Sequence, residues 1–178
     1  MTWVALLRGI NVGGNRAVSM KTLKEVFEDA GMDGVRTYIN SGNVVFSTTR
    51  RSPARIAPLL EEAIEARFGF AVDVLVVSEA RLREVVAAIP ATWTNDQATR
   101  CDVLFLWDDV DRRGILDELP VRQGIDTVRY APGAVIWRID RKNIGKSRMA
   151  KLVGTALYKR MTIRNCNTAR KLLALMES

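Results

Sequence analysis

Two hairpin signals, each preceded by a strand pattern and a helix pattern, constrain the fold of this chain more than any other feature. Ser41-Gly42 joins the β-branched and aromatic runs Val35–Asn40 and Asn43–Ser47, and Pro132-Gly133 joins Thr127–Tyr130 to Ala134–Ile139. Ahead of the first hairpin stand a strand pattern, Trp3–Arg8, and a helix pattern, Ser19–Ala30. Ser19 is its N-cap, Met20, Leu23, Val26 and Phe27 recur at helical spacing, and Gly31 closes it. After the hairpin comes a second helix, Pro53–Phe68, with Ile56, Leu59, Leu60, Ile64 and Phe68 on one side and Gly69 beyond its end. Val72–Val77 is the next strand. The order βαββαβ is that of the split βαβ, or ferredoxin-like, unit.

The second half repeats the idea. Ser78–Ile89 reads as a connecting helix stopped by Pro90, and Ala91–Arg100 lacks periodicity and crosses between the halves. A strand follows at Asp102–Leu106, then a short helix at Asp111–Leu119 capped by Asp111, then the second hairpin. A helical region over Lys146–Lys159 and a final helix, Thr168–Met176, complete a βαββα order. The predicted fold class is therefore α+β, with two similar ferredoxin-like subdomains and antiparallel sheets. No Pro-, Ser- or Gly-rich linker separates them, so they are expected to pack as one compact unit. The expected boundaries are 1–77 and 101–178, with the connector at 78–100. In this topology the loop after the first strand and the turn between strands two and three are expected at opposite ends of the sheet. The Gly9–Asn15 loop and the Asn40–Asn43 turn are then not expected to share one pocket.

Residue usage removes whole classes of chemistry. The 178 residues include no histidine, which excludes Ser-His-Asp triads, Cys-His dyads, His-ligated metals and imidazole proton shuttles. The two cysteines, Cys101 and Cys166, form neither a metal spacing nor a disulfide framework, as expected in a reducing cytosol. No metal is expected and no cofactor is assigned. The opening apolar run ends at Arg8, too short for a signal peptide or a membrane span. The expected product is a soluble cytoplasmic protein with no membrane partner.

The net charge of +7 is unevenly placed. Residues 1–89 hold 11 basic against 10 acidic side chains, and residues 90–178 hold 16 against 10. Between Arg141 and Lys171 there are ten basic residues and no acidic one. A one-sign segment of this kind fits a polyanionic partner or a phosphate-bearing ligand, and it also fits a solvated basic helix face.

Three motifs are candidates for holding an anion. In Arg8-Gly9-Ile10-Asn11-Val12-Gly13-Gly14-Asn15-Arg16 a strand opens into a glycine loop ahead of a helix. The backbone N–H groups near Gly13 and Gly14 form a candidate nest, with Arg8, Asn11, Asn15 and Arg16 as further donors. The loop matches neither G-x-x-x-x-G-K-S/T nor G-x-G-x-x-G, and its glycines equally supply the positive φ a turn needs. Gly145-Lys146-Ser147 matches only the end of the first of those patterns, but Lys146, Ser147 and Arg148 stand at the start of an expected helix, a setting suited to phosphate. Thr162-Ile163-Arg164-Asn165-Cys166-Asn167-Thr168 runs into the last helix, which Thr168 or Asn167 caps. Arg164 and Asn165 then precede a positive helix end. Cys166, with no histidine to act as base, reads as an incidental small residue.

Taken together, Ala5–Gly14, the Val35–Val44 hairpin and the Thr162–Thr168 run resemble the bacterial family catalogued as domain of unknown function 1697. The resemblance implies two intertwined α+β subdomains of similar topology. It implies no activity, substrate or cofactor. Position 166 is usually aromatic in that family, so Cys166 is a departure.

These observations point first to a module that binds nucleic acid or a phosphorylated small molecule, through Arg8, Asn11, Gly13, Gly14, Lys146, Ser147, Arg164 and Asn165. An enzyme acting on an anionic small molecule without histidine chemistry, and a structural or regulatory adaptor, are the alternatives. The catalytic residues of such an enzyme, and the oligomeric state, are not legible.

Overall fold

The N-terminal apolar run becomes β1 (Thr2–Leu7), which lies inside a four-stranded sheet and buries every residue from Trp3 to Leu7. A strand with hydrogen-bonded neighbours on both sides and cover on both faces reads as a continuous apolar run rather than an alternating one. In the computed structural model, which describes residues 1–178, the sheet is completed by β2 (Asp33–Tyr38), β3 (Asn43–Ser47) and β4 (Val74–Ser78). The order is β2-β3-β1-β4 and every neighbouring pair is antiparallel. Two helices, α1 (Met20–Asp29) and α2 (Pro53–Phe68), cover one face.

Local chemistry sets their ends. The Ser19 hydroxyl accepts from the Thr22 N–H at 3.3 Å, Pro53 starts α2, and Gly69 ends it in the left-handed region at φ 82°. Leu23, Val26 and Phe27 of α1 and Ile56, Leu60 and Ile64 of α2 turn inward. Phe27 meets Phe46 of β3 edge-on, with ring centres 5.6 Å apart. Truncating such a ring to alanine costs about 3–5 kcal/mol.

By its contacts the chain divides into two compact units, Met1–Glu79 with Leu172–Ser178, and Ala80–Lys171. Arg36 of β2 ties the returning C-terminal residues to the first unit, donating to the Leu175 carbonyl and, at 2.7 Å, to the Ser178 hydroxyl. The second unit opens with α3 (Glu79–Ala87), all but its first residue, and contains β5 (Thr99–Leu106), β6 (Thr127–Ala131), β7 (Ala134–Asp140) and β8 (Met161–Asn165). Its sheet order, β6-β7-β5-β8, is that of the first sheet with each strand replaced by its counterpart. The final helix, α4 (Cys166–Met176), begins in the second unit, and its last turns belong to the first. The α+β class with two antiparallel sheets is as the sequence predicts, and the second sheet has one strand more than its βαββα reading gave.

Three expected features of the second half differ. The Lys146–Lys159 helix is absent, and the crossover from β7 to β8 is a chain of short 3-10 turns, Arg141–Lys146, Met149–Leu152 and Tyr158–Arg160. Side-chain oxygens compete there with the helical ladder. Ser147 Oγ accepts from Met149 N at 3.1 Å, Thr155 Oγ1 donates to Leu152 O at 2.7 Å, and Gly154 sits at φ 85°. The expected helix at Asp111–Leu119 is a 3-10 segment, Arg113–Glu118, because the Asp111 carboxylate accepts from Tyr130 Oη and Gly133 N instead of capping a helix. Finally, β8 appears where only a lead into the last helix was expected. Met161 to Arg164 alternate apolar and polar over only four residues, and the polar members Thr162 and Arg164 are the ones buried, so the usual reading of polar residues as outward does not hold. No helix of the chain is long and apolar enough to cross a membrane.

Candidate functional site

Because β1 pairs antiparallel with β3, the end of β1 lies beside the start of β3, with Leu6 opposite Asn43. The glycine loop and the Asn40–Asn43 turn therefore share one end of the first sheet. The expectation that they lie at opposite ends is corrected by strand direction alone. Leu7 N donates to Gly42 O at 2.8 Å, and Arg8 N donates to Asp73 O at 3.0 Å on the other side. Asn11 joins loop to turn: its Nδ2 donates to Asn40 O at 2.7 Å and to Val18 O at 3.0 Å, and its Oδ1 accepts from Val18 N at 2.7 Å. Gly42 stands at φ 81°, where a Cβ would meet Leu7 Cβ and Ile10 Cδ1 at 2.8 Å. Only glycine fits.

Beyond Asn11 the loop folds on itself. Asn11 N donates to Arg16 O at 3.1 Å and Asn15 N to Val12 O at 3.0 Å, with Gly13 at φ 58° and Gly14 at φ 76°. Two successive left-handed residues make the two-residue hairpin turn that matches strand twist. Gly13 and Gly14 thus serve the turn, while their own N–H groups make no bond within the chain and face solvent. Arg16 donates to Ala71 O and lies 5.1 Å above the Phe70 ring, which closes the base of this lip. The non-glycine residues with positive φ are Asn11, Arg16 and Ile39, and all of them stand at this end of the sheet. Such backbone costs of order 1–3 kcal/mol per residue and concentrates where function or close packing requires it. Val12 is 65% exposed and Ile39 50%. Arg8, Asn11, Gly13 and Gly14 are therefore brought together.

The second unit treats its candidates differently. No helix begins at Lys146. The Ser147 hydroxyl donates to Asp126 Oδ1 at 2.7 Å, and the same buried carboxylate accepts from Trp137 Nε1 at 2.9 Å and from Arg122 N at 2.8 Å. Ser147 pins the crossover, and Lys146 beside it is exposed. Arg164 is buried in β8, where it donates to Thr162 Oγ1 at 2.9 Å and Ile163 O at 2.8 Å, and burial pushes its guanidinium down to about 10. Asn165 Oδ1 accepts from Thr168 N at 2.9 Å, so Asn165 is the cap of α4 in place of Thr168 or Asn167.

The basic segment then divides in two. Arg141 donates to Asp96 O at 2.6 Å, Arg160 grips Asp109 with two nitrogens while lying 5.4 Å from the Trp107 ring, and Arg170 donates to Pro90 O at 3.2 Å. Together with Arg164, these arginines hold the fold. Lys142, Lys146, Arg148, Lys151 and Lys159 are exposed, and none forms an ion pair. Composition counts all of these residues alike. The signal that would have separated them is the carboxylates and carbonyls brought close by folding.

The comparisons with known proteins agree with this architecture. The chain belongs to the family described as protein of unknown function DUF1697, whose model matches residues 1–137. The match takes in the glycine loop, the first hairpin and the turn of the second, and the Thr162–Thr168 run lies beyond it. Among solved structures, the conserved bacterial protein SP0830 from Streptococcus pneumoniae is similar, with 27% identity, a TM-score of 0.82 and 98% of each chain covered. A search of curated proteins finds no match.

Proposed function

We propose that this member of the DUF1697 family binds a polyanionic or phosphorylated ligand, either a nucleic acid or a nucleotide, through the β7–β8 crossover. The observation that carries the reading is the exposure of Lys142, Lys146, Arg148, Lys151 and Lys159 on a stretch that has no acidic residue. Exposed ammonium groups keep their hydration and mobility, which suits contacts to phosphate along a backbone rather than to one fixed carboxylate. In the first unit, the Gly13–Gly14 lip separately offers two N–H groups to a phosphate. Arg8 and Asn11 support that lip; Arg164 and Asn165 act from within the fold. A cytoplasmic setting, rich in such ligands, is the compartment this reading requires.

A thermal-shift series tests it with nucleotides, sugar phosphates and short RNA as probes, each at low and at physiological salt. A ligand bound only by the folded chain raises the midpoint. We expect a shift with RNA or a nucleotide at low salt that shrinks at higher salt. No shift with any probe at low salt removes the reading.

A further inference from the structure

Cys101 stands on β5 and Cys166 opens α4 directly after β8, and both are buried free thiols. The antiparallel ladder ends at the pair Asp102 and Asn165, and Cys101 and Cys166 are the next residue of each segment beyond that pair. Ladder residues hold their Cα atoms about 4.5–5.5 Å apart, so the two cysteines, each one residue beyond the last pair, start close to the range of about 4.4–6.8 Å that a disulfide spans. Burial together with the neighbouring Cys166 sulfur pushes the Cys101 thiol up to about 12. The pair is not symmetric. Arg170 Nη1 lies 3.6 Å from Cys166 Sγ, at the start of a helix, where positive charge gathers on the cysteine side.

We propose that Cys101 and Cys166 are a modification site, a dithiol that a low-molecular-weight disulfide of the glutathione class closes into an intrachain bond. In the first step the Cys166 sulfur, its proton given to solvent, attacks one sulfur of the small disulfide. A Cys166 mixed disulfide forms, the small S–S bond breaks, and the leaving thiolate takes up a proton. In the second step the Cys101 sulfur loses its proton to solvent and attacks Cys166 Sγ, expelling the second small thiol. The protein dithiol loses two electrons and two protons, and the small disulfide becomes two thiols.

Access to the pair runs through the irregular segment 91–98. The Cys166 thiol donates to Trp93 O at 3.7 Å, Asn95 Oδ1 accepts from Cys101 N at 3.2 Å, and Asn167 Nδ2 donates to Asn95 O at 2.8 Å. This segment is mostly exposed and lacks regular structure, so it opens at a small fraction of the cost of global unfolding. While it is closed, the dithiol is shielded. The reaction is gated by opening and independent of the crossover lysines.

The test uses the full chain with oxidised glutathione, followed by intact-mass spectrometry, thiol counting in denaturant and peptide mapping. We expect one species lighter by two hydrogens, with no free thiol and a Cys101–Cys166 linkage, reversed by dithiothreitol. Cys101→Ser is expected to stop at a mixed disulfide on Cys166, and Cys166→Ser to react about tenfold more slowly than Cys101→Ser. Stable adducts on both cysteines of the native chain, disulfide-linked dimers, or two unreacted thiols after a time in which the urea-unfolded chain oxidises fully would each overturn the proposal.

Discussion

The loop after β1 and the loop after β5 occupy the same place in two copies of one topology, and they are built from opposite chemistry. Both leave their strand in the same way. Leu7 N donates to Gly42 O and Arg8 N to Asp73 O, just as Leu106 N donates to Gly133 O and Trp107 N to Arg160 O. Both are braced against the neighbouring hairpin, by Asn11 on Asn40 O in the first unit and by Asp111 on Tyr130 Oη and Gly133 N in the second. There the likeness ends. Residues 8–18 hold two arginines, three glycines and no acid, whereas the β5 loop holds Asp108, Asp109 and Asp111. Asp109 is held below the usual aspartate range, chiefly by its hydrogen bond to Arg160. The brace is thus what the topology requires. The strained hairpin lip at Gly13–Gly14 is not, because the second unit manages without one. That contrast sets the lip apart, within the first unit, as backbone the fold does not need.

The largest expected effect separates the two hairpin glycines. Gly42→Ala drives a Cβ to 2.8 Å from Leu7 and Ile10 at φ 81°, while at Gly133 the same atom meets the flexible Arg81 Cδ at 3.1 Å. Urea unfolding followed by far-UV circular dichroism is expected to show a loss of about 2–4 kcal/mol at Gly42 and about 1–2 kcal/mol at Gly133. Gly13→Ala, which meets open space at φ 58°, is expected to cost no more than about 1 kcal/mol. Equal losses at Gly42 and Gly133 would break the contrast in packing.

Next come the braces. Asn11→Ala removes three side-chain hydrogen bonds and Asp111→Ala two. Each is expected to lower stability by about 1–3 kcal/mol in the same unfolding assay. Unchanged stability in Asn11→Ala, paired with weakened ligand binding, would instead move Asn11 from the frame to the ligand.

A smaller effect is confined to the second unit. Asp102 occupies on β5 the place that Trp3 holds on β1, and burial raises its carboxyl above the ordinary aspartate value despite Arg100 at 2.9 Å. A carboxyl raised in the folded state binds its proton before the unfolded chain does. Stability therefore gains as pH falls from its raised value toward the ordinary aspartate value, and is lost again on the way back up. Asp102→Asn is expected to flatten that limb of a stability-versus-pH curve. An unchanged curve in the variant would assign the limb to other groups.

What the residues disclosed in advance follows the same division. In the first unit, cap and period agree at every element: Ser19, Pro53 and Gly69 bound helices whose apolar positions keep their spacing, and the hairpin is announced by Ser41-Gly42. In the second unit, side chains act across the chain and override local pattern. Asp111 leaves its cap for Tyr130, Ser147 leaves its helix start for Asp126, and β8 is a five-residue strand whose polar Thr162 and Arg164 are buried. The candidate site was legible as a loop but not as a place, because only strand direction puts Asn11 beside Asn40. Arginines that hold the frame and lysines that face solvent are indistinguishable until the fold sets their neighbours.

The central claim is that the exposed crossover cations bind phosphate and contribute little to the fold. The most direct measurement is the affinity for a short single-stranded RNA across a salt series, for the native chain and for the triple variant Lys142→Gln, Lys146→Gln, Lys151→Gln. A linear fall of log K with log salt is expected in the native chain, with a slope of about −0.7 for each phosphate neutralised, and a slope shallower by about 2 in the variant. A variant stability within about 0.5 kcal/mol of native is also expected. Equal affinity and equal slope in the two proteins would contradict the claim.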